Sequence, residues 1–422
     1  MPPASSHQGL QHPLQVQAAG RRHELTVTCG LALGPATALG LGRFAYALLL
    51  PSMRRDLHWS FATAGAMNSA NAVGYLAGSL VASMVARRCG ARRGFVGGLG
   101  VTVVALLATA GTGDTAALVA LRALSGVSGA ITFITGASIV AEAVSASASR
   151  RAATLLGVYF AGGGAGIVAS GITIPALLSA TGAASGWRWG WVLIAAIGVV
   201  ALAVALPAAL TSREPLTPPV VDRRWPVGQL IPLLVCYGLF GAGYIAYMTF
   251  NVAFLQRGGA GAREITTFWV LLGASSIASV VAWAGPISRL RGGRGPAVLM
   301  CVVAAGALLP IVSRSSAAAV ASALLFGGSF LSVVTAVTAV ARRSLQPHHW
   351  TSAIAGLTGA FALGQCLGPV LSGVLSDSPA GLSAGMSVSV ALLLAGSFVA
   401  LAQRHRETPR PEPAMIESSS TV

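Results

Sequence analysis

The chain contains no lysine, and it spreads 11 acidic residues over 422 positions. Charged residues make up 9% of it, against roughly 25% in a soluble domain. A soluble core of this length would not use so few. The missing lysine rules out the Gly-rich phosphate loop that ends in Lys, and with it ATP-driven work by this chain alone. The acids lie in tails, connections or helix ends, and no histidine falls in the middle of an apolar run. The membrane carboxylate or imidazole that a proton-driven carrier normally uses is therefore missing. No His-Glu-x-x-His stands in the chain, nor a Ser with a buried base, so no enzyme is expected. The five cysteines, at 29, 89, 236, 301 and 366, have no metal spacing and read as small packing residues. No metal, cofactor or disulfide is expected.

Apolar sequence is abundant. Hydrophobic residues make up 54% of the chain, and the mean hydropathy is +0.74. A bilayer crossing needs about twenty apolar residues. About twelve such runs can be read, near 25–50, 60–86, 94–112, 115–141, 153–179, 189–210, 229–255, 265–287, 297–313, 316–341, 351–375 and 384–402. In lipid every backbone group must bond internally, so only helices or a closed barrel are possible. Runs this long are helices, and the 52 glycines suit close helix packing. The expected fold class is an all-α membrane protein of twelve transmembrane helices.

The net charge of +16 could suggest nucleic acid, but its distribution excludes that reading. All 27 basic residues are arginine. With a cytoplasmic amino terminus, nineteen fall on the tails and the even-numbered connections, six on the opposite side, and Arg43 and Arg122 within helices. The positive-inside rule then places both termini in the cytoplasm. No cleavable signal is expected, because residues 1–20 are polar and the first apolar run is too long. A bacterial cytoplasmic membrane is the expected location.

Residues 1–22 and 405–422 read as disordered cytoplasmic tails. The longest internal polar stretch, 211–228, is rich in Pro and Arg and reads as a linker between six-helix bundles at 23–210 and 229–404. An internal repeat supports the division. Gly40-Leu-Gly-Arg-Phe-Ala-Tyr46 is echoed by Gly241-Ala-Gly-Tyr-Ile-Ala-Tyr247, 201 residues on, with Tyr244 where Arg43 stood. Gly162-x-x-x-Gly166-Ile-Val-Ala-Ser-Gly171 is echoed by Gly364-x-x-x-Gly368-Pro-Val-Leu-Ser-Gly373, 202 on. Arg88 and Arg93 match Arg289 and Arg294, again 201 apart. Each match joins the same helix of the two halves. An even helix number per half preserves orientation, so the halves are parallel repeats, the transporter plan whose solute site lies between halves near the midplane.

Four segments carry a family likeness: Gly42-Arg-Phe-Ala-Tyr followed by Pro51, Asn68-Ser-Ala-Asn-x-x-Gly-Tyr-x-x-Gly78, Gly243-Tyr-Ile-x-x-x-Thr-Phe250, and Phe361-x-Leu-Gly-Gln-x-Leu-Gly-Pro369. On these the chain resembles the major facilitator superfamily, and within it the YbfB/YjiJ-type branch, over about residues 25–403. The resemblance implies two pseudo-symmetric six-helix bundles that transport a solute. The superfamily's loop motif after helix two usually holds Asp-Arg-x-Gly; here Arg87-Arg-Cys-Gly90 puts Arg in place of the acid. That departure bears on the loop's charge-relay latch, not on the fold. The helix-four motif survives as Arg122-x-x-x-Gly126, and the resemblance associates it with proton coupling. The helix-five Gly-rich motif survives loosely, without its usual proline.

The candidate solute-binding residues follow from cost. A guanidinium in a membrane costs roughly 2.5–3.5 kcal/mol at mid-depth, so Arg43 and Arg122 face protein or a polar path. Either they hold solute, or they tie helix ends by bonding backbone carbonyls. Asn68, Asn71 and Tyr75 share one face of helix two, either lining a cavity or bonding between helices. Tyr237, Phe240, Tyr244, Tyr247 and Asn251 form an aromatic-polar stripe on helix seven, whose phenols need partners. Tyr46, Tyr159 and Gln365 complete the set. Glu142 is the candidate for ion coupling; its other reading is a helix-end residue near loop arginines. It lies twenty residues from Arg122, roughly 30 Å along a helix, so the two do not pair.

The expected function is a secondary active or facilitative transporter, a monomer, moving a small organic solute by alternating access. Arginines without a cavity acid favour an anionic or neutral polar solute, and the aromatic stripe tolerates a hydrophobic one. Proton-coupled efflux stays open. The alternative is a membrane receptor or assembly subunit on the same fold.

Overall fold

Lipid leaves the backbone of an apolar run no partner but itself, and each run folds as a helix. The structure, a computed structural model, describes residues 8–143, 149–182, 186–215 and 225–404. The first span is α1 (Gln8–Pro35), a π-helical segment (Ala36–Phe44) and α2 (Tyr46–Asp56) in sequence. There follow α3 (Phe61–Cys89), α4 (Ala91–Ala110), α5 (Thr115–Ala143), α6 (Ser149–Thr181) and α7 (Gly186–Thr211). The second half holds α8 (Ile231–Arg257), α9 (Ala262–Ala282), α10 (Ala284–Arg289), α11 (Arg294–Val312), α12 (Ser316–Ser344), α13 (Trp350–Ser376) and α14 (Leu382–Leu401). Among the described residues there is no strand. Among the described residues eleven helices, the first span counted as one from Arg22, are long and apolar enough to cross a bilayer. The eighth run, near 265–287, forms the 21-residue α9 and breaks at Trp283 before the short α10.

The expected disordered tail at 1–22 is corrected in part. Residues 8–22 belong to α1. They are rich in Gln, Leu, Ala and Arg, good helix formers, and they extend a helix already nucleated in the membrane. Residues 1–7, residues 216–224 of the expected linker and residues 405–422 lie outside the described residues.

Polar ties sort the helix ends onto two faces. Glu24 pairs with Arg151 at 2.5 Å, Glu214 with Arg92 at 3.3 Å, and Gln403 donates to the Gln229 carbonyl at 3.0 Å. These mark the face that carries the chain ends. On the opposite face Trp187 donates to Asp56 at 2.7 Å, Arg188 to the Ala110 carbonyl at 2.9 Å, and Ser316 to Glu264 at 2.8 Å.

The two repeated glycine motifs pack on each other within each half. A Cβ on Gly40 would overlap the backbone of Gly166, and one on Gly166 would overlap the Ala36 carbonyl. In the second half a Cβ on Gly368 would overlap the Ala242 carbonyl, and one on Gly241 the Phe361 carbonyl. The repeat therefore preserves one backbone-to-backbone crossing, first span on α6 and α8 on α13.

The halves meet along α3 with α13, α6 with α9, and α2 with α8. The hydrogen bonds that join them lie toward the face opposite the chain ends. Phe61 and Ala62 donate their amides to Asp377, Asn68 donates to Thr249 at 2.6 Å, and Trp269 donates to Ser170 at 3.1 Å. That face is closed. The outside of the bundle is apolar: Leu80, Val281 and Phe398 are 74%, 81% and 72% exposed, a surface suited to lipid rather than water.

Candidate functional site

Arg43 is positioned by irregular helix. From Ala36 to Phe44 the backbone winds as a π-helix, and the Ala45 amide donates to the Gly40 carbonyl, five residues back, at 3.0 Å. π-Helical insertions are rare and cluster at functional sites. Arg122, from α5, donates Nη1 to the Gly42 carbonyl inside this segment at 2.5 Å. Its guanidinium carbon lies 4.9 Å from the Tyr46 ring centre and 5.6 Å from that of Trp191. Asn71 donates to the Arg122 carbonyl at 3.1 Å and to Ser125 Oγ at 3.0 Å. Tyr46 donates to the Ala64 carbonyl at 2.8 Å. Tyr46, Asn71 and Arg122 thus form one knot that clamps the π-segment.

Arg43 emerges from that segment toward the second half. Its guanidinium carbon is 5.6 Å from the Tyr75 ring centre, and its charge acts on Tyr75, Tyr244 and Cys366. The charge of Arg43 thus reaches its repeat-related counterpart Tyr244 in the other half. Arg43 is 3% exposed, yet Nε and Nη2 find no hydrogen-bond partner in the protein. Nε and Nη2 of Arg122 are in the same condition. Buried polar atoms are normally satisfied, and a bare charge in a low-dielectric interior is costly.

Across from Arg43 stands a wall of rings. Tyr244 stacks on Phe361 at 5.5 Å and 7°, and on Phe330 at 5.9 Å and 18°. Phe361 stacks on Tyr237 at 4.6 Å, and Phe240 on Tyr244 at 5.1 Å. Gln365 donates Nε2 to the Tyr244 hydroxyl. Tyr247 shares a hydrogen bond with Ser322 at 2.6 Å and packs on Phe326. Phe44, next to Arg43, sets its edge on Phe330 at 6.3 Å. Asn251 is 1% exposed with both amide atoms unpartnered.

Three candidates sit differently. Asn68 bonds Thr249 across the halves while its Oδ1 has no partner, so it is a tie at the junction. Tyr159 donates to the Phe133 carbonyl at 2.8 Å inside a smaller core cluster with Phe95 and Leu99, and joins α6 to α5. Glu142 is one residue from the end of α5, well over two turns of helix beyond the knot. Thr249, Phe330, Phe361 and Trp191 were not singled out from the sequence as site residues. Thr249 and Phe361 stand within the segments that carry the family likeness, which was a usable signal; Phe330 and Trp191 lie in ordinary apolar runs.

The profile of a family described as "Uncharacterised MFS-type transporter YbfB" matches residues 35–401. The chain belongs to this family. No curated protein matches it. Among solved structures, a point mutant of the nucleoside transporter NupG superposes with a TM-score of 0.71 at 13% identity, covering 89% of this chain and 99% of that one. A bacterial homologue of the human lysosomal transporter Spinster, inward-facing and unoccupied, gives 0.69 at 16% identity, with 92% and 99% covered. The human organic anion transporter MFSD10 gives 0.60 at 18% identity, with 90% and 99% covered. At such identities the likeness establishes the major facilitator fold. As a YbfB-type member the chain is a multi-pass membrane solute transporter. In that frame the arrangement offers binding chemistry: a buried cation with a free hydrogen-bonding edge, facing flat apolar surfaces, at the junction of the halves.

Proposed function

We propose that this YbfB-type protein moves a small organic solute, anionic or neutral polar, across the cytoplasmic membrane by alternating access, with Arg43 at the centre of the solute site. The observation that carries the reading is Arg43 itself, buried, with Nε and Nη2 unpartnered, and acting on its repeat-related counterpart Tyr244 in the other half. Buried polar groups are normally satisfied within the protein; Arg122 shares the unpartnered edge but is held by the Gly42 carbonyl. The bundles 23–210 and 229–404 act as the moving units, and 211–228 links them on the cytoplasmic side with both termini. One chain suffices, because both walls come from the same polypeptide. No catalytic step is assigned to it. Two of the structural neighbours carry chemically different solutes by name, nucleosides and organic anions, so the shared fold does not choose among solutes.

The face opposite the chain ends is closed, so in this reading the site communicates with the cytoplasm. The charge balance bears on coupling. Glu142 is the deepest acid from the sequence, and it is too far from Arg122 to pair with it. Facilitated movement, or coupling through a proton carried on the solute, fits these residues better than a protein-borne proton relay. Uptake by proteoliposomes holding wild-type or Arg43→Gln protein tests the reading. Solute entry through wild type and loss of entry through a correctly inserted Arg43→Gln protein are expected. Wild-type flux through the variant removes Arg43 from the site, and ligand binding without any flux turns the protein into a receptor.

A further inference from the structure

We propose that the transported solute is an organic anion with a carboxylate head and a flat, aromatic or conjugated body, its head on Arg43 and its body against Tyr244, Phe330 and Phe361. This rests on the reading of the Arg43 junction as the solute site.

The first argument is the geometry of the unpartnered atoms. Nε and Nη2 of Arg43 are the two nitrogens of one edge of the guanidinium, and both are buried without a partner. Their N–H groups run parallel and match the two oxygens of a carboxylate, the bidentate pairing that makes Arg–carboxylate contacts strong and directional. A hydroxyl or an amide carbonyl would satisfy one N–H and leave the charge uncompensated.

The second argument is charge. No group of three or more acidic, His or Cys side chains gathers anywhere among the described residues. The described acids are Glu24, which lies within α1 and pairs with Arg151, and Asp56, Asp114, Glu142, Glu214, Glu264 and Asp377, which lie at helix ends or connections. The counter-charge of Arg43 is therefore not a neighbouring acid of the site. A cationic solute would add to the uncompensated charge, and a neutral one would leave it in place.

The third argument is the wall. The Tyr244, Phe361 and Phe330 rings lie within 18° of parallel to Tyr244. Phe361 is only partly buried, and Tyr237 continues the stack toward the face that carries the chain ends. From Tyr247 to Tyr237 the stripe runs ten residues, about 15 Å at 1.5 Å per residue. A flat body can slide along such a surface by stacking. The Tyr244 hydroxyl is held by Gln365, so its ring keeps its orientation. Arg122 has the same unpartnered edge, but its Nη1 is held on the Gly42 carbonyl and its plane lies against Tyr46 and Trp191 of the first half, not against the ring wall of the second.

The test is thermal unfolding of the purified full-length protein with matched sets of probes: cinnamate and 4-hydroxybenzoate, their amides, the corresponding amines, and uridine. The acids are expected to raise Tm and the amides, amines and uridine to leave it unchanged. Arg43→Gln is expected to abolish the shift, and Arg43→Lys, which keeps the charge but loses the fork, to weaken binding about tenfold or more. Tyr244→Ala is expected to reduce affinity for cinnamate to that for acetate. The proposal is overturned if neutral or cationic probes stabilise as well as the acids, if no acid stabilises, or if the acid shift survives Arg43→Gln. Counterflow of the bound acid in proteoliposomes then separates the two readings. A neutral solute that binds and moves sinks the anion assignment and leaves transport standing; an acid that binds but does not move does the reverse.

Discussion

The Asp377 carboxylate, just past the end of α13, caps the start of α3 in the opposite half: it accepts the amides of Phe61 and Ala62 at 2.8 and 2.9 Å. The first amides of a helix have no partner of their own, and a negative charge there is favourable. Arg54 lies 3.7 Å from the Phe61 ring centre, and the Asp377 carboxylate favours its charged form. The cap binds the halves only while this face is closed.

Replacing Asp377 by Asn keeps the shape and removes the charge. At this exposed position the loss is about 1 kcal/mol, a shift of about fivefold in the balance between closed and open outer faces. In a background without the native cysteines, a Met67→Cys thiol, buried one helical turn or more below the cap, is expected to react several-fold faster with a bulky thiol reagent when Asp377 is Asn. Equal reaction rates would show that the cap does not hold the face.

The glycine crossings give a contrast within one residue type. A side chain at Gly166 overlaps the Ala36 carbonyl and Gly40, whereas one at Gly97 meets nothing within 4 Å. Gly166→Val is expected to cost about 1–3 kcal/mol or prevent insertion, as overpacking does. Gly97→Ala is expected to be neutral or to stabilise by up to about 1 kcal/mol through helix propensity. Thermal unfolding in detergent reads both, and comparable losses would mean that the crossing is not the reason for Gly166.

These crossings also mark how far the sequence could be read. The repeat of Gly40 and Gly166 at Gly241 and Gly368 was visible as letters, because backbone contact this close admits only glycine wherever it recurs. The apolar runs were visible because the bilayer sets their length. The π-helical segment was not, because the i-to-i−5 ladder depends on Arg122 reaching Gly42 from another helix. The partnership of Asn68 with Thr249 was equally hidden: 181 residues separate them, and a lone amide on a helix face has no signature of which hydroxyl it will meet. Tyr159 and Tyr244 looked alike as buried phenols. One closes on a carbonyl inside its own half and the other on Gln365 at the junction, and only packing distinguishes them.

Glu214 accepts the Ala91 amide and pairs with Arg92 through Nε at 3.3 Å, both side chains being 34–43% exposed. It joins the start of α4 to the chain just after α7. Exposed pairs contribute about 0–1 kcal/mol and fade with salt. Glu214→Gln is expected to lower Tm slightly at low ionic strength and not at 1 M NaCl, where the Debye length is about 3 Å. A large, salt-independent loss would mean that this contact organises the half rather than trimming its edge.

The two membrane arginines are expected to separate when mutated. Arg122 is spent on the protein: its Nη1 holds the Gly42 carbonyl and its plane is flanked by Tyr46 and Trp191. Removing it leaves a buried carbonyl unpaired and two rings without their cation, a loss of about 2–4 kcal/mol from one charge-assisted hydrogen bond and two cation–π contacts. Arg122→Lys is expected to recover little, because an ammonium has neither the plane nor the fork. Arg43 shares the unpartnered Nε and Nη2, but its guanidinium stands over Tyr75 rather than against Tyr46 and Trp191. Arg43→Gln removes an uncompensated charge and is expected to leave Tm unchanged or raise it, while flux falls to background. Tm and flux measured on the same preparations decide the matter. Stability lost at Arg43 and kept at Arg122 would exchange their roles and move the solute site from the junction into the first half.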